Sequence, residues 1–179
     1  MRCFVAIELP KEIKEYLFDL QKTLSGEDAK INWVAKKNFH LTLKFLGEID
    51  DARVEEVKKR LEVIKFEPFN IKLNKIGFFP NEDYIRVIWV GLEPEEKIIG
   101  LQRQIDSLLM DLFPREQVFS AHLTLGRVKF IRDKKRFMSR VLGVNMAEFE
   151  SEVIEFKLIK SELTKDGPWY ETIKSYAKR

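Results

Sequence analysis

His40-Leu41-Thr42-Leu43-Lys44-Phe45-Leu46 is followed 82 positions later by His122-Leu123-Thr124-Leu125-Gly126-Arg127-Val128, and the chain has no histidine outside these two heptapeptides. In a β-strand, side chains at i and i+2 share a face. Each copy therefore shows an imidazole and a hydroxyl side by side on one face, and turns its two leucines into a core. If the copies occupy equivalent strands of two lobes, the polar faces meet and two histidines flank one substrate.

An imidazole, with an unperturbed pKa of about 6.5, can hold or lack a proton near neutrality. One of the pair can accept a proton from an attacking nucleophile while the other donates to a leaving oxygen, as in-line displacement at phosphorus requires. A threonine hydroxyl beside each ring can donate to a phosphate oxygen. A structural histidine on each strand is the competing reading. A zinc site is a second competitor, but it usually needs three protein ligands. His40, His122 and the single cysteine, Cys3, in an apolar run, supply too few without carboxylates. No metal and no cofactor are expected.

Outward from the motifs, the chain reads as α+β. Residues 2–8 form an apolar strand ended by Pro10, and Ile13, Leu17, Leu20 and Leu24 follow at helical spacing. The strand His40–Leu46 ends at Gly47, and Asp50 and Asp51 can cap a helix carrying Val54, Val57, Leu61 and Ile64. Strands Ile71–Phe78 and Tyr84–Leu92 make a hairpin around Pro80-Asn81-Glu82-Asp83. Pro94 opens a helix with Ile98, Ile105, Leu108, Leu109 and Leu112 that stops before Pro114. A strand over Phe119–Val128 comes next, then a loop and short helix over Arg132–Arg140. A half-buried strand over Glu152–Leu163, a turn at Asp166-Gly167-Pro168 and a last strand from about Trp169 to Ala177 complete the pattern.

The 179 residues suffice for one domain with a substantial core. With 32 basic and 29 acidic residues the net charge is only +3, so nucleic-acid contact has to come from local placement of charge. No run approaches the roughly 18 apolar residues of a membrane span. The first residues read as a buried strand and not as a signal peptide. The expectation is a cytoplasmic protein without membrane contact.

The sequence resembles the two-histidine phosphoesterases, and within them the RNA 2',3'-cyclic phosphodiesterases also called 2'-5' RNA ligases. The likeness rests on Trp33-Val34 and Asn38-Phe39 leading into HLTLKFLGEI, on Ile76-Gly77-Phe78-Phe79-Pro80 with Arg86-Val87-Ile88-Trp89, and on Phe119-Ser120-Ala121-HLTLGRV. It implies a single bilobal domain over 1–179, with two antiparallel sheets and flanking helices in pseudo-twofold arrangement around a central groove. It also implies hydrolysis of a terminal 2',3'-cyclic phosphate to a 2'-phosphomonoester, a 3'-phosphodiesterase activity. His40 would be the proton donor, His122 the proton acceptor, and Thr42 and Thr124 the phosphate holders. The symmetry of the motifs does not itself say which histidine is acid and which is base. The partner would be RNA with a cyclic phosphate terminus, tRNA fragments among the candidates. Ligation of such an end to a 5'-hydroxyl uses the same chemistry, and a non-catalytic RNA-binding module is the alternative of another class.

Arg127 is similar to an arginine of this family that approaches the phosphate. Strict alternation from His122 places it on the leucine face, so the assignment requires Gly126 to bend the strand or the side chain to wrap around its end. Alternation from His40 puts Lys44 on the polar face. Phe78, Phe79, Tyr84 and Trp33 are candidates either to stack on a terminal base or to pack in the core. Lys129, Arg132, Lys134, Lys135, Arg136 and Arg140 are candidates to follow an RNA backbone or to form a solvated face.

Overall fold

The computed structural model describes residues 1–165 and 167–177; Asp166, in the turn expected before the last strand, lies outside the described residues. The elements run β1 (Arg2–Glu8), α1 (Lys11–Leu24), β2 (Ala29–Trp33), a 3₁₀ turn (Lys36–Asn38), β3 (His40–Glu48), α2 (Asp51–Leu61), β4 (Phe69–Pro80) and β5 (Ile85–Glu93). They continue as α3 (Glu95–Leu108), β6 (His122–Ile131), α4 (Lys134–Leu142), β7 (Glu150–Val153), β8 (Glu155–Thr164) and β9 (Gly167–Ala177). The pairings are antiparallel throughout, in a four-stranded sheet of order β3-β1-β8-β9 and a five-stranded sheet of order β2-β6-β5-β4-β7. The α+β class and the two antiparallel sheets expected from the sequence are present.

The motif strands hold corresponding places, β3 beside β1 at the edge of one sheet and β6 beside β5 in the other, where β2 is added outside it. Leu41, Leu43, Leu123 and Leu125 are all buried in one continuous core. At about 1.5–3 kcal/mol per buried side chain, these leucines fix which face of each strand is left open. The helices cross over. α1 leaves the first sheet and packs beneath the second, where Gln21 donates to the Leu125 carbonyl and Arg140 of α4 donates to Leu24. α3 leaves the second sheet and packs beneath the first, where Asp106 meets Lys44 of β3.

Two helix starts are capped by carboxylates accepting from a backbone N–H three residues on. Asp50 accepts from Arg53 at 2.7 Å, and Asp133 accepts from Arg136 at 3.0 Å. Among the described residues no helix is long and apolar enough to cross a membrane.

Two expectations need correction, and one element is added. The strand read over Glu152–Leu163 is two strands in different sheets. β7 pairs with β4 and β8 with β1, and the half-exposed Ile154 is the crossing residue. The apolar alternation Ile154, Phe156, Leu158 runs through the crossing in the sequence, but burial shifts phase there, with Val153 buried and Ile154 turned outward. The strand read from Phe119 begins at His122. β2 has no counterpart in the sequence reading: it is five residues long, with only intermediate and exposed positions, and it pairs at the edge of its sheet.

Candidate active site

Each imidazole is held by the same short-range device. His40 Nδ1 lies 2.7 Å from the carbonyl of Asn38, and His122 Nδ1 lies 2.8 Å from that of Ser120. A carbonyl only accepts, so Nδ1 carries a proton in both rings. This leaves each Nε2 as the basic atom of the neutral ring. Asn38 is itself buried and tied to β9 by donation from Nδ2 to the Pro168 carbonyl at 2.7 Å. The rings differ at Nε2. That of His40 is 2.8 Å from Thr42 Oγ1, a contact made within one strand because residues i and i+2 share a face.

Aromatic rings brace both. Phe4 lies 4.8 Å and Tyr170 5.3 Å from His40 between ring centroids. Phe79 stands edge-on to His122 at 4.9 Å, and Trp89 lies 6.2 Å from it. Trp89 can lie flat only because residue 77 is glycine, where a Cβ would fall 2.2 Å from the indole. Its Nε1 has no hydrogen-bond partner among the described residues.

The face carrying each histidine does not keep strict alternation. β3 and β6 each contain an extra residue at the last leucine of the tetrapeptide. Ala6 pairs with Thr42 and Val5 with Lys44, passing over Leu43; Trp89 pairs with Thr124 and Ile88 with Gly126, passing over Leu125. A β-bulge of this kind moves every following side chain to the other face.

Arg127 therefore shares the face of His122 and Thr124, opposite Val87. Its family-implied place on the polar side is reached without wrapping around the strand end. Lys44 does the reverse. Alternation had put it on the polar face, whereas its ammonium is buried against Asp106 at 2.5 Å and the Pro114 carbonyl at 2.8 Å. The residue equivalent to Arg127 in the other motif is Phe45, 65% exposed and 6.2 Å from the Phe4 ring. A signal of the bulge was present in the sequence. The apolar spacing changes from two to three at Leu41, Leu43, Leu46 and again at Leu123, Leu125, Val128.

β3 and β6 touch, and the charge of His122 is felt at His40. Both imidazoles titrate below the ordinary histidine value. For His40 the main cause is burial, partly opposed by the Asn38 hydrogen bond, with Lys14 and His122 lowering it further and Glu8 raising it. For His122 it is burial, opposed by the Ser120 hydrogen bond, with the Arg127 cation adding to the depression. Thr42 and Thr124 stand beside their histidines on the same faces. Among the described residues no group of three or more His, Cys, Asp or Glu side chains is placed to hold a metal ion.

Of the aromatic candidates, Phe79 lies at the site, whereas Phe78 is buried beside Phe137. Trp33 packs over Gly126, and the exposed Tyr84 stacks with Arg86. The basic cluster is partly occupied: Arg140 Nη2 donates to both carboxylate oxygens of Asp28, Lys134 faces Asp83, and Arg132 lies over Phe130. Sequence reading gave no role to Phe4 or Tyr170, which lie far from the motifs in sequence and reach His40 only through strand pairing.

Comparison with known proteins agrees with the internal repeat. The family described as LigT like phosphoesterase matches the chain twice, over residues 7–89 and 90–170, one copy for each histidine motif. An RNA 2',3'-cyclic phosphodiesterase of Methanocaldococcus jannaschii is 42% identical over 98% of this chain and 100% of its own length. One of Archaeoglobus fulgidus is 35% identical over 98% and 99%. The crystal structure of E. coli LigT complexed with 3'-AMP superposes with a TM-score of 0.80 at 26% identity, covering 99% of this chain and 97% of that one. The repeated fold, the twinned histidine strands and these matches together make the chain a member of the LigT-like phosphoesterase family.

Proposed function

We propose that the chain hydrolyses RNA 2',3'-cyclic phosphate ends to 2'-phosphomonoesters, with His122 as proton acceptor and His40 as proton donor. The observation that carries this reading is the pair of Nδ1-anchored imidazoles on touching strands, with His40 Nε2 against the Thr42 hydroxyl and no protein partner for His122 Nε2 among the described residues. The names of the relatives supply the substrate class.

The difference between Arg127 and Phe45 supports the assignment of roles. A cation beside His122 favours its neutral, proton-accepting form; at His40 the Lys14 cation acts in the same sense and the Glu8 carboxylate opposes it only in part. Water loses a proton to His122 Nε2 as its oxygen bonds to phosphorus. The P–O3' bond breaks, and His40 Nε2–H protonates O3'. Thr42, Thr124 and Arg127 hold the phosphate oxygens through charge-assisted hydrogen bonds. Beyond His40, a cleft of about 150 Å³ is lined by Lys14, Lys37, Trp169 and Tyr170. It adjoins a shallower depression that adds Lys11 and Lys36. Glu8 lines both, and Lys14 pairs with it while Lys11 and Lys36 pair with Glu15, so this basic path beside the histidine is partly neutralised.

The test is a short RNA ending in a 2',3'-cyclic phosphate, incubated with excess EDTA, with products resolved by phosphorus NMR. A 2'-phosphate with a free 3'-hydroxyl is expected. A 3'-phosphate product would reverse the orientation of the substrate, and loss of activity restored by zinc or manganese would refute metal-free catalysis.

The depressed imidazoles also set the pH dependence. One must be neutral and the other protonated, so kcat/KM follows a bell. Because both titrate low in the free protein, its centre is expected below about pH 6.5. A bound phosphate anion favours both imidazolium forms, so the bell for kcat is displaced to higher pH. Steady-state profiles of the two parameters check this. A kcat/KM bell centred well above neutrality would contradict the burial of the pair.

A further inference from the structure

We propose that Gln21 is a positioning residue, whose buried amide holds the bulge at Leu125 and so keeps Arg127 turned toward His122. Gln21 sits in the apolar face of α1 between Leu17, Leu20 and Leu24, 3% exposed. A primary amide in such a place is costly unless its hydrogens find acceptors. Both do: Nε2 donates to the carbonyls of Val34 and Leu125, each at 2.8 Å.

Leu125 is the residue that the β5–β6 register passes over. Its carbonyl also accepts from the Val34 N–H at 2.9 Å, so both its lone pairs are used. The glutamine thus joins the bulge to the segment that leaves β2. The adjoining Gly126 lies tight under that strand, where a Cβ would fall 2.7 Å from Ile31 and Trp33. Were the bulge to relax by one residue, Arg127 would swing to the core side and Val128 would take its place on the open face.

The other half shows that the device is particular to this strand. Gln102 lies between Ile98, Leu101 and Ile105 with the spacing of Gln21, and is equally buried. Its Nε2 has no partner among the described residues. Beneath β3 the polar contact is made by Lys44 with Asp106 and the Pro114 carbonyl. The bulge that presents an exposed phenylalanine is held by an ion pair, and the one that presents the cation is held by a neutral amide.

The consequence for catalysis rests on the function proposed above, so the test includes a readout without turnover. Gln21→Met keeps length and volume and removes the donors. NMR titration should show a small upward move of His122 as the Arg127 cation leaves, burial remaining the main cause of its depression, with His40 little changed. For the cyclic-phosphate RNA, kcat/KM should fall about 10- to 100-fold, the scale of a misplacement near 1 Å. In an Arg127→Ala background, Gln21→Met should cost nothing further.

Gln21→His, whose neutral ring sets an N–H close to the place of the amide nitrogen without adding a charge among the leucines, should bring the His122 titration back. It decides the matter if the methionine variant does not fold. An unshifted His122 titration in folded Gln21→Met, a shifted one in folded Gln21→His, or losses that multiply with Arg127→Ala would overturn the proposal. Full activity of Arg127→Ala would instead remove Arg127 from the reaction, and the His122 titration would still show whether Gln21 sets its place.

Discussion

Replacing His122 or His40 by alanine should lower kcat/KM for the cyclic-phosphate RNA by about 10²- to 10⁴-fold each, the usual loss for a general base or acid. Neither substitution should unfold the protein, because each ring is only partly buried and its fixed hydrogen bond is to a backbone carbonyl. The two replacements are not equal structurally. His40 is one corner of a three-ring cluster with Phe4 and Tyr170, so alanine opens a gap there, and His40→Gln is the fairer control of shape. The double variant should lose far less than the product of the single losses, since an acid without its base no longer completes the in-line displacement. Near-normal kcat/KM in either folded single variant would end the two-histidine mechanism and return the pair to a structural role.

The parts of this site that could be read in the sequence are those that depend on spacing of two. Alternation put His40 with Thr42 and His122 with Thr124, and the leucines behind them are buried as that pattern requires. Counting failed one residue later in both strands, for one reason. Each bulge inserts its extra residue just where the motif ends, so Lys44 was assigned to the open face and lies in the core, while Arg127 was counted to the core side and lies on the open face.

The change of apolar spacing from two to three marks that point. It looks the same, however, as a strand that ends and lets its next apolar residue fall where it will. The choice between these depends on what lies beneath the strand, here Gln21 and Asp106 on helices that start in the opposite sheet. Such contacts join residues 104 and 62 positions apart, beyond the reach of any local pattern. The same limit explains why Phe4 and Tyr170 gave no sign of their contact with His40.

Lys44→Met should be among the most destabilising single changes in the chain, by about 3–5 kcal/mol, with kcat/KM nearly unchanged while the fold persists. The ammonium and the Asp106 carboxylate are 2% and 11% exposed as side chains. Asp106 also accepts from the Glu116 N–H at 3.2 Å, and Lys44 donates to the Pro114 carbonyl. Removing the cation leaves a buried carboxylate without its counter-charge, which costs more than the intact pair contributes. For a chain of this size the melting temperature should fall by roughly 6–20 °C. Adding Asp106→Leu should recover much of the loss, because it removes the stranded charge as well. Kinetics should move little in either variant, since the bulge at Leu43 points this lysine away from His40 and Thr42. The opposite result, a normal melting temperature with a large kinetic defect, would place the ammonium beside the substrate and would mean that β3 keeps strict alternation through Leu43.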